Sequence, residues 1–171
     1  MPKGNAPKTN AMRALDARHV AYEVFTYSDT IHSAEEVARV LGVSASEVFK
    51  TLVVLAEPDR RLLIVTPGNR ELDMRLVAKG VGAKSARMAP RREAERLTGL
   101  LVGGISPLAL LDRRFEVYLD APGMALDALY INGGRRGINL RLRVGDLIAI
   151  TSARVIEATH MPAEGTSASD Q

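Results

Sequence analysis

The sequence predicts a single α+β domain, and three observations carry that prediction. Helical and strand signals alternate through the first half of the chain, short strands bounded by turn residues fill the second, and no linker-like stretch divides the middle. A chain of 171 residues can bury a sizeable core. Hydrophobic residues make up 46% and charged residues 25%, ordinary for a soluble globular protein, and the absence of tryptophan points to an aliphatic core. The domain is placed at residues 10–160, between polar ends at 1–9 and 161–171 that read as disordered.

Each element has a local reason. Ala11, Met12 and Leu15 have helical spacing from Asn10 onward. Val20, Tyr22 and Val24 alternate with Ala21, Glu23 and Phe25, the period of a strand with one buried face ending at Tyr27. Ser33 and Glu36 have capping-box spacing before a helix carrying Val37, Val40 and Leu41, with Gly42 placed to end it. Ser44 and Glu47 repeat the device, which predicts a second short helix carrying Val48 and Phe49 and delivering Lys50 at its exit. Thr51–Ala56 and Leu62–Thr66 flank the turn-rich residues 57–61, as in an antiparallel hairpin, and their continuous apolar character places them centrally with both faces covered. Asp73 caps a helix through Lys79, and Pro90 opens another at Arg91–Leu97. Phe115–Leu119, Ala128–Asn132 and Leu147–Ile150 read as short strands. Ile138, Leu140 and Leu142 alternate with Asn139, Arg141 and Arg143, giving one buried and one basic face.

Composition also excludes chemistry. The chain has no cysteine, so disulfides, thiolate nucleophiles and cysteine metal sites are absent. His19, His32 and His160 lie far apart without ligand spacing, so neither a metal nor a cofactor is expected. No apolar run is long enough to span a bilayer, and the first ten residues fit no secretory signal, which makes the cytoplasm the expected location and a membrane no partner. Net charge is +3, but the basic residues cluster. Arg135, Arg136, Arg141 and Arg143 follow one another without an acid between them, and Lys84, Arg87, Arg91 and Arg92 precede Glu93. Such clusters suit the phosphates of a polyanion, and equally suit a solvated face.

Between these clusters lies Leu101-Val102-Gly103-Gly104-Ile105-Ser106-Pro107. Two glycines inside an apolar run give up packing and backbone entropy, which fits either a tight turn closed by proline or a site floor that another molecule's backbone approaches. Lys50 has two readings as well, a surface lysine with a packed stem or a cation reaching into a cleft.

Several stretches are familiar in combination: Val48-Phe49-Lys50-Thr51-Leu52, Val77-Ala78-Lys79 with Gly82-Ala83-Lys84, Thr98-Gly99 followed by Val102 to Pro107, Asp120-Ala121-Pro122, and Gly133-Gly134-Arg135-Arg136-Gly137. In this order and spacing, from about Met12 to Ile156, the chain resembles the YbaK/EbsC family of aminoacyl-tRNA deacylases, and within it the Cys-tRNA(Pro) deacylases of the YbaK branch. The resemblance implies a mixed, largely antiparallel sheet forming a partly closed barrel with packed helices. It also implies a trans-editing activity on mischarged tRNA, in contact with prolyl-tRNA synthetase in a transient complex. Lys50, Gly103 and Gly104 match the catalytic positions, and Tyr27 and Thr51 match pocket residues, with Ile105, Ser106 and Pro107 continuing the wall. Asn139 falls where the family often has an acid, and an amide can hydrogen-bond an amine without pairing its charge.

On this basis the expected function is removal of cysteine from Cys-tRNA(Pro), with the substrate thiol as nucleophile and backbone amides near Gly103 and Gly104 stabilising the oxyanion. Arg135, Arg136 and Arg141 are the expected contacts to the tRNA acceptor stem. Two alternatives stand beside it: a deacylase that clears alanine or serine by water attack, and a non-catalytic module that binds tRNA or a synthetase.

Overall fold

The computed structural model describes residues 8–163. The disorder expected at 1–7 and 164–171 therefore lies outside the described residues. Thr9 is ordered into the fold, its side chain accepting the Met12 amide at 3.2 Å to cap the first helix.

The described helices are α1 (Asn10–Ala17), α2 (Ala34–Leu41), α3 (Met74–Val81), α4 (Arg91–Thr98) and α5 (Val144–Thr151). The strands are β1 (Glu23–Thr26), β2 (Val48–Ala56), β3 (Arg60–Pro67), β4 (Glu71–Leu72), β5 (Ala86–Met88), β6 (Glu116–Asp120), β7 (Ala128–Asn132), β8 (Ile138–Arg143), β9 (Arg154–Ile156) and β10 (Thr159–His160). The main sheet runs β1-β8-β7-β2-β3-β6-β9, with β5 pairing β2 as well, and β4 and β10 form a separate ladder. Five of the eight pairings among the described residues are antiparallel, so the sheet is mixed as expected. The pairing path is open from β1 to β9, and strand pairing does not close it into a barrel.

The β2–β3 hairpin runs through the centre, paired from Phe49–Pro67 to Ala56–Arg60. Both faces of β3 are covered. Leu62 and Ile64 pack with Val77 and Val81 of α3, Leu63 with Ala94 of α4, and Val65 with Ala11, Met12 and Leu15 of α1. This double burial explains the near-continuous apolar run of the hairpin.

Three local expectations differ from the structure. Residues 44–47 form a turn in which the Ser44 amide donates to Glu47 Oε2 at 3.2 Å, but Val48 and Phe49 open β2 instead of continuing a helix. Their pairing with Tyr130 and Ile131 of β7 and the burial of both side chains outweigh a local cap. Leu147–Ile150 belongs to α5, because a four-residue apolar run fits a buried helical turn as well as a strand. Over residues 20–25 the expected single alternation does not hold throughout: Val20 and Tyr22 pack on the core, but Val24 is 39% exposed while Phe25 packs 5.4 Å from the Tyr130 ring. As the sheet's outermost strand, β1 has only β8 to pair with.

The Asp120 motif has a structural task. Asp120 is buried, accepts the Ala158 amide at 2.9 Å and also binds the Thr159 hydroxyl, which ties β10 to the end of β6. Thr159 in turn accepts Arg70 Nε at 2.7 Å, so the same knot holds the segment leading into β4. Asp120→Ala strands a buried amide and hydroxyl, and chemical denaturation is expected to show a loss of about 2–3 kcal/mol. A loss below about 0.5 kcal/mol would remove Asp120 from this role.

Candidate active site

The site begins with an interruption in the sheet. Along one edge β2 pairs with β3 throughout, but along the other it meets β7 only at Val48 and Phe49 and β5 only at Val54–Ala56. Over residues 50–53 that second edge has no partner strand. A cavity of about 480 Å³ opens there, with Val48 through Val53 forming one wall. Residues of α2, the segment before β4, β5, α4 and the glycine loop complete the enclosure.

Lys50 faces Thr66 across the hairpin and is half-buried in the cavity wall. Its ammonium makes no hydrogen bond or ion pair among the described residues. Burial pushes the Lys50 pKa below its usual range, and the carboxylates of Glu35 and Glu71, which line the same cavity, act in the opposite direction. Thr51, Tyr27, Gly103, Ile105 and Asn139 line the cavity as well. The Tyr27 pKa is raised by burial, against the hydrogen bond that its hydroxyl receives from Asn139 Nδ2 at 3.3 Å. The side-chain oxygens Thr51 Oγ1, Asn69 Oδ1 and Asn139 Oδ1 are all buried without a partner.

The glycine loop is held from the far side. Asn132 donates to the Gly103 carbonyl and accepts the Gly134 amide at 2.7 Å, while Arg136 Nε donates to the Val102 carbonyl at 2.8 Å. Gly103 has φ +91°, a conformation that favours glycine, and lines the cavity. Gly104 does not line it. Its amide already donates to the Leu101 carbonyl at 2.7 Å, and a Cβ there would lie 3.0 Å from the Arg136 backbone nitrogen. Gly104 therefore lets two loops meet, whereas the amides of Gly103 and Ile105 have no acceptor among the described residues. Ser106 is fully buried and accepts the Leu108 amide at 3.3 Å as the cap of a short 3₁₀ turn beginning at Pro107. Neither Ser106 nor Pro107 borders the cavity.

The three arginines expected to meet tRNA separate. Arg136 is committed to the glycine loop, and its guanidinium nitrogen Nη2 is buried without a partner. Arg141 pairs with Glu23 at 3.1 Å and lies 5.9 Å over the Tyr130 ring. Arg135 is exposed, and its hydrogen bonds are made by its backbone, the amide to Asn132 at 3.2 Å and the carbonyl from the Ile138 amide at 3.3 Å. Sequence reading missed Glu35, Asn69, Glu71, Asn132 and His32. His32 lines the cavity and lies beside Gly103, whose added Cβ would be 3.4 Å from the His32 Cβ, although 71 positions separate them in the chain. The turn signal at Asn132-Gly133-Gly134 marked a loop without revealing its contact.

No cluster of metal-ligating side chains that could hold an ion occurs among the described residues, and no described helix is long and apolar enough to cross a membrane.

The sequence pattern of the aminoacyl-tRNA editing domain family matches residues 28–150, which include the cavity wall and the glycine loop. The chain belongs to this family. A relative from Enterococcus faecalis named as a Cys-tRNA(Pro)/Cys-tRNA(Cys) deacylase, EbsC, is 33% identical over 159 residues, covering 92% of this chain and 96% of the relative. A solved structure described as a trans-editing enzyme for prolyl-tRNA synthetase superposes with a TM-score of 0.77 at 25% identity, covering 91% of this chain and 99% of that one. A proline–tRNA ligase from Shouchella clausii is 35% identical over 88 residues, which are 52% of this chain and 15% of the ligase.

The electrostatics of Lys50 give a stability test. The unfolded chain holds this proton more tightly than the folded one, so the lysine's contribution to wild-type stability rises with pH in the alkaline range up to the free value of 10.5. Lys50→Met is expected to melt no lower than wild type in neutral buffer, and its advantage should shrink as the buffer is made alkaline. A drop of more than about 5 °C in neutral buffer would give Lys50 a structural role instead.

Proposed function

We propose that the chain is a trans-editing deacylase that removes the amino acid from mischarged tRNA, with Cys-tRNA(Pro) as its substrate. The observation that carries this reading is the cavity at the sheet interruption, where an unpaired Lys50 and the free amides of Gly103 and Ile105 border one space. An aminoacyl ester is already activated, so the protein has to orient it and stabilise the charge that develops on its carbonyl oxygen. Backbone amides with no internal acceptor suit that task, and one oxyanion donor typically contributes about a hundredfold or more. Lys50 would hold the ester or the phosphate of the terminal adenosine as a compact cation. Gly104 serves by bringing the two loops together, and Thr51, Tyr27 and Asn139 form pocket walls.

For a cysteinyl ester the nucleophile is the substrate's own sulfur. It attacks the carbonyl carbon, the bond from that carbon to the ribose oxygen breaks, and the thiol proton ends on the ribose hydroxyl, leaving a cyclic thioester and free tRNA. Intramolecular attack has a high effective concentration and needs no protein nucleophile. This fits Ser106, whose hydroxyl is buried outside the cavity. A second reading, water attack on alanyl or seryl esters, draws on His32 at the cavity wall, where an imidazole can take a proton from water. Prolyl-tRNA synthetase would be a transient partner that supplies the mischarged tRNA.

A panel of purified mischarged tRNAs tests the reaction. Rapid turnover of Cys-tRNA(Pro) with slow turnover of Ala-tRNA(Pro) and Ser-tRNA is expected, and Lys50→Ala should reduce kcat/KM by about a hundredfold or more. Equal rates on all three esters would exclude thiol-assisted cleavage as the general route. Binding is tested separately through salt: Arg135→Gln should weaken tRNA binding and lower its salt slope by about 1. An unchanged slope would take Arg135 out of the RNA contact.

A further inference from the structure

Helix α4 carries groups on its outer side that ester cleavage does not use. On its inner side Arg91 and Ala94 line the cavity, and Glu95 Oε2 accepts the Val102 amide at 2.8 Å, which ties the helix to the glycine loop. Ala94 and Thr98 face the core. Arg92 and Arg96, one turn apart, therefore stand on the opposite, solvent side of the same helix. Neither makes a hydrogen bond or ion pair among the described residues. The acids of α4 are engaged elsewhere, Glu95 with Val102 and at 3.7 Å with Arg91, and Glu93 with Arg87 at 3.3 Å.

Neighbouring elements extend this ridge. Arg113 reaches its C-terminal end, where Nη2 lies 3.7 Å from the place a Cβ would take on Gly99. Arg61 borders a second cavity together with Arg96, and Lys84 precedes Ser85 on the same rim. Glu57 and Asp59 of that cavity, and Asp112 beside Arg113, offset part of the charge. They are outnumbered by the unpaired cations Arg61, Lys84, Arg92, Arg96, Arg113 and Arg114, so the surface is positive in sum.

Position decides which anion this surface suits. The arginines expected near β8 are largely committed, Arg136 to the Val102 carbonyl and Arg141 to Glu23. A strand whose 3′ end is held in the cavity has to leave over one of its walls. Of the two helices that border the cavity, α2 carries Glu35 and Glu36 in its first turn, whereas α4 carries Arg92 and Arg96 on its outer side. That side is about 10–12 Å, one helix diameter, from the cavity wall. Side chains four apart on a helix stand about 5–6 Å from each other, which lets the two guanidinium groups take neighbouring phosphates. A protein partner would call for apolar groups at the centre of the contact, and the ridge presents guanidinium groups there.

We propose that the outer ridge of α4, Arg92 and Arg96 with Arg113 at its end, holds the sugar–phosphate backbone of the RNA strand as it leaves the cavity. This inference rests on the reading of the cavity as an aminoacyl-tRNA site and adds the surface that grips the RNA beyond the ester. Because Glu95 fixes α4 to the glycine loop, the ridge and the site form one rigid unit, and the grip on the backbone sets where the 3′ end enters.

The test is tRNA binding by the full chain as a function of salt. The double substitution Arg92→Gln with Arg96→Gln alters two exposed side chains without partners, and its tRNA affinity is expected to fall about tenfold in low salt, with the salt slope lowered by about 1.5–2. Arg75→Gln with Lys79→Gln removes the same charge at the same spacing from the outer side of α3, which does not border the cavity, and should leave the slope within about 0.5 of wild type. Adenosine carrying L-cysteine through a 3′-amide ends short of the outer side of α4 and should bind the α4 variant as it binds wild type. The proposal is overturned by no measurable tRNA binding in the wild type, an unchanged slope in the α4 variant, or an equal loss in the α3 variant. It is also overturned by a matching loss for the adenosine probe, which would place the arginines in the cavity or in the fold, or by loss of prolyl-tRNA synthetase binding with tRNA binding intact. Failure to deacylate any mischarged tRNA would overturn the enzymatic reading, while the slopes measured with uncharged tRNA still decide the ridge.

Discussion

Strand β2 has a hydrogen-bonding neighbour along its whole length on one side, and on the other only at its two ends. Everything about the site follows from that gap. A strand buried in a sheet normally spends its backbone groups on neighbours, and leaving an edge open inside a fold is costly unless something else occupies it. Here β7 arrives parallel and leaves after Phe49, while β5 arrives antiparallel from Val54, so the chain passes through the sheet's centre with a window in one edge. The pairing to β3 continues without a break across the window, from Lys50 opposite Thr66 to Val53 opposite Leu63. The cavity is therefore a property of rigid sheet architecture and does not depend on loop conformation alone.

The second constraint is how the glycine loop is aimed at that window. Asn132, at the end of β7, and Arg136, from the loop that follows it, donate to the carbonyls of Gly103 and Val102. The amides of Gly103 and Ile105, two residues that line the cavity, have no acceptor among the described residues. The basic motif that reads in sequence as a polyanion contact is thus partly internal scaffolding, because Arg136 bonds the loop. Its neighbour Arg135 stays in solvent. Lys50 shows the opposite economy. An ammonium without a close partner, half-buried beside apolar strands, lowers stability.

Much of this could be read from residue patterns, and what could not has identifiable causes. The alternation in β8 is found as expected at Leu140, Arg141, Leu142 and Arg143, and the glycine ends of α2, α3 and α4 all adopt the left-handed cap. These signals are local, set by steric and hydrogen-bonding rules within a few residues. Val48 and Phe49 misled because the Ser44–Glu47 cap is real as a turn, yet their fate is decided by Tyr130 and Ile131, some 80 positions away. Leu147–Ile150 misled because four apolar residues carry no period. The site shows the same division. Lys50 and Gly103 stand out within their own motifs, whereas Glu35, Asn69 and Glu71 gain meaning only from sharing one cavity.

The position of Ser106 narrows the chemistry further. In sequence it sits beside the glycines where a nucleophile could stand, but its hydroxyl accepts the Leu108 amide and holds the start of the turn at Pro107. The chain has no cysteine, and the hydroxyl, amine and imidazole side chains at the cavity are Tyr27, His32, Ser33, Lys50 and Thr51, of which Ser33 Oγ accepts the Glu36 amide at 3.1 Å. Burial raises the Tyr27 pKa, which keeps its phenol protonated, and Thr51 Oγ1 has no partner to accept its proton. Lys50 alone has a pKa shifted toward a free amine, and Glu35 and Glu71 act to keep it an ammonium. In the proposed reaction the cavity positions an ester and its charges, and the attacking atom comes from the substrate or from water.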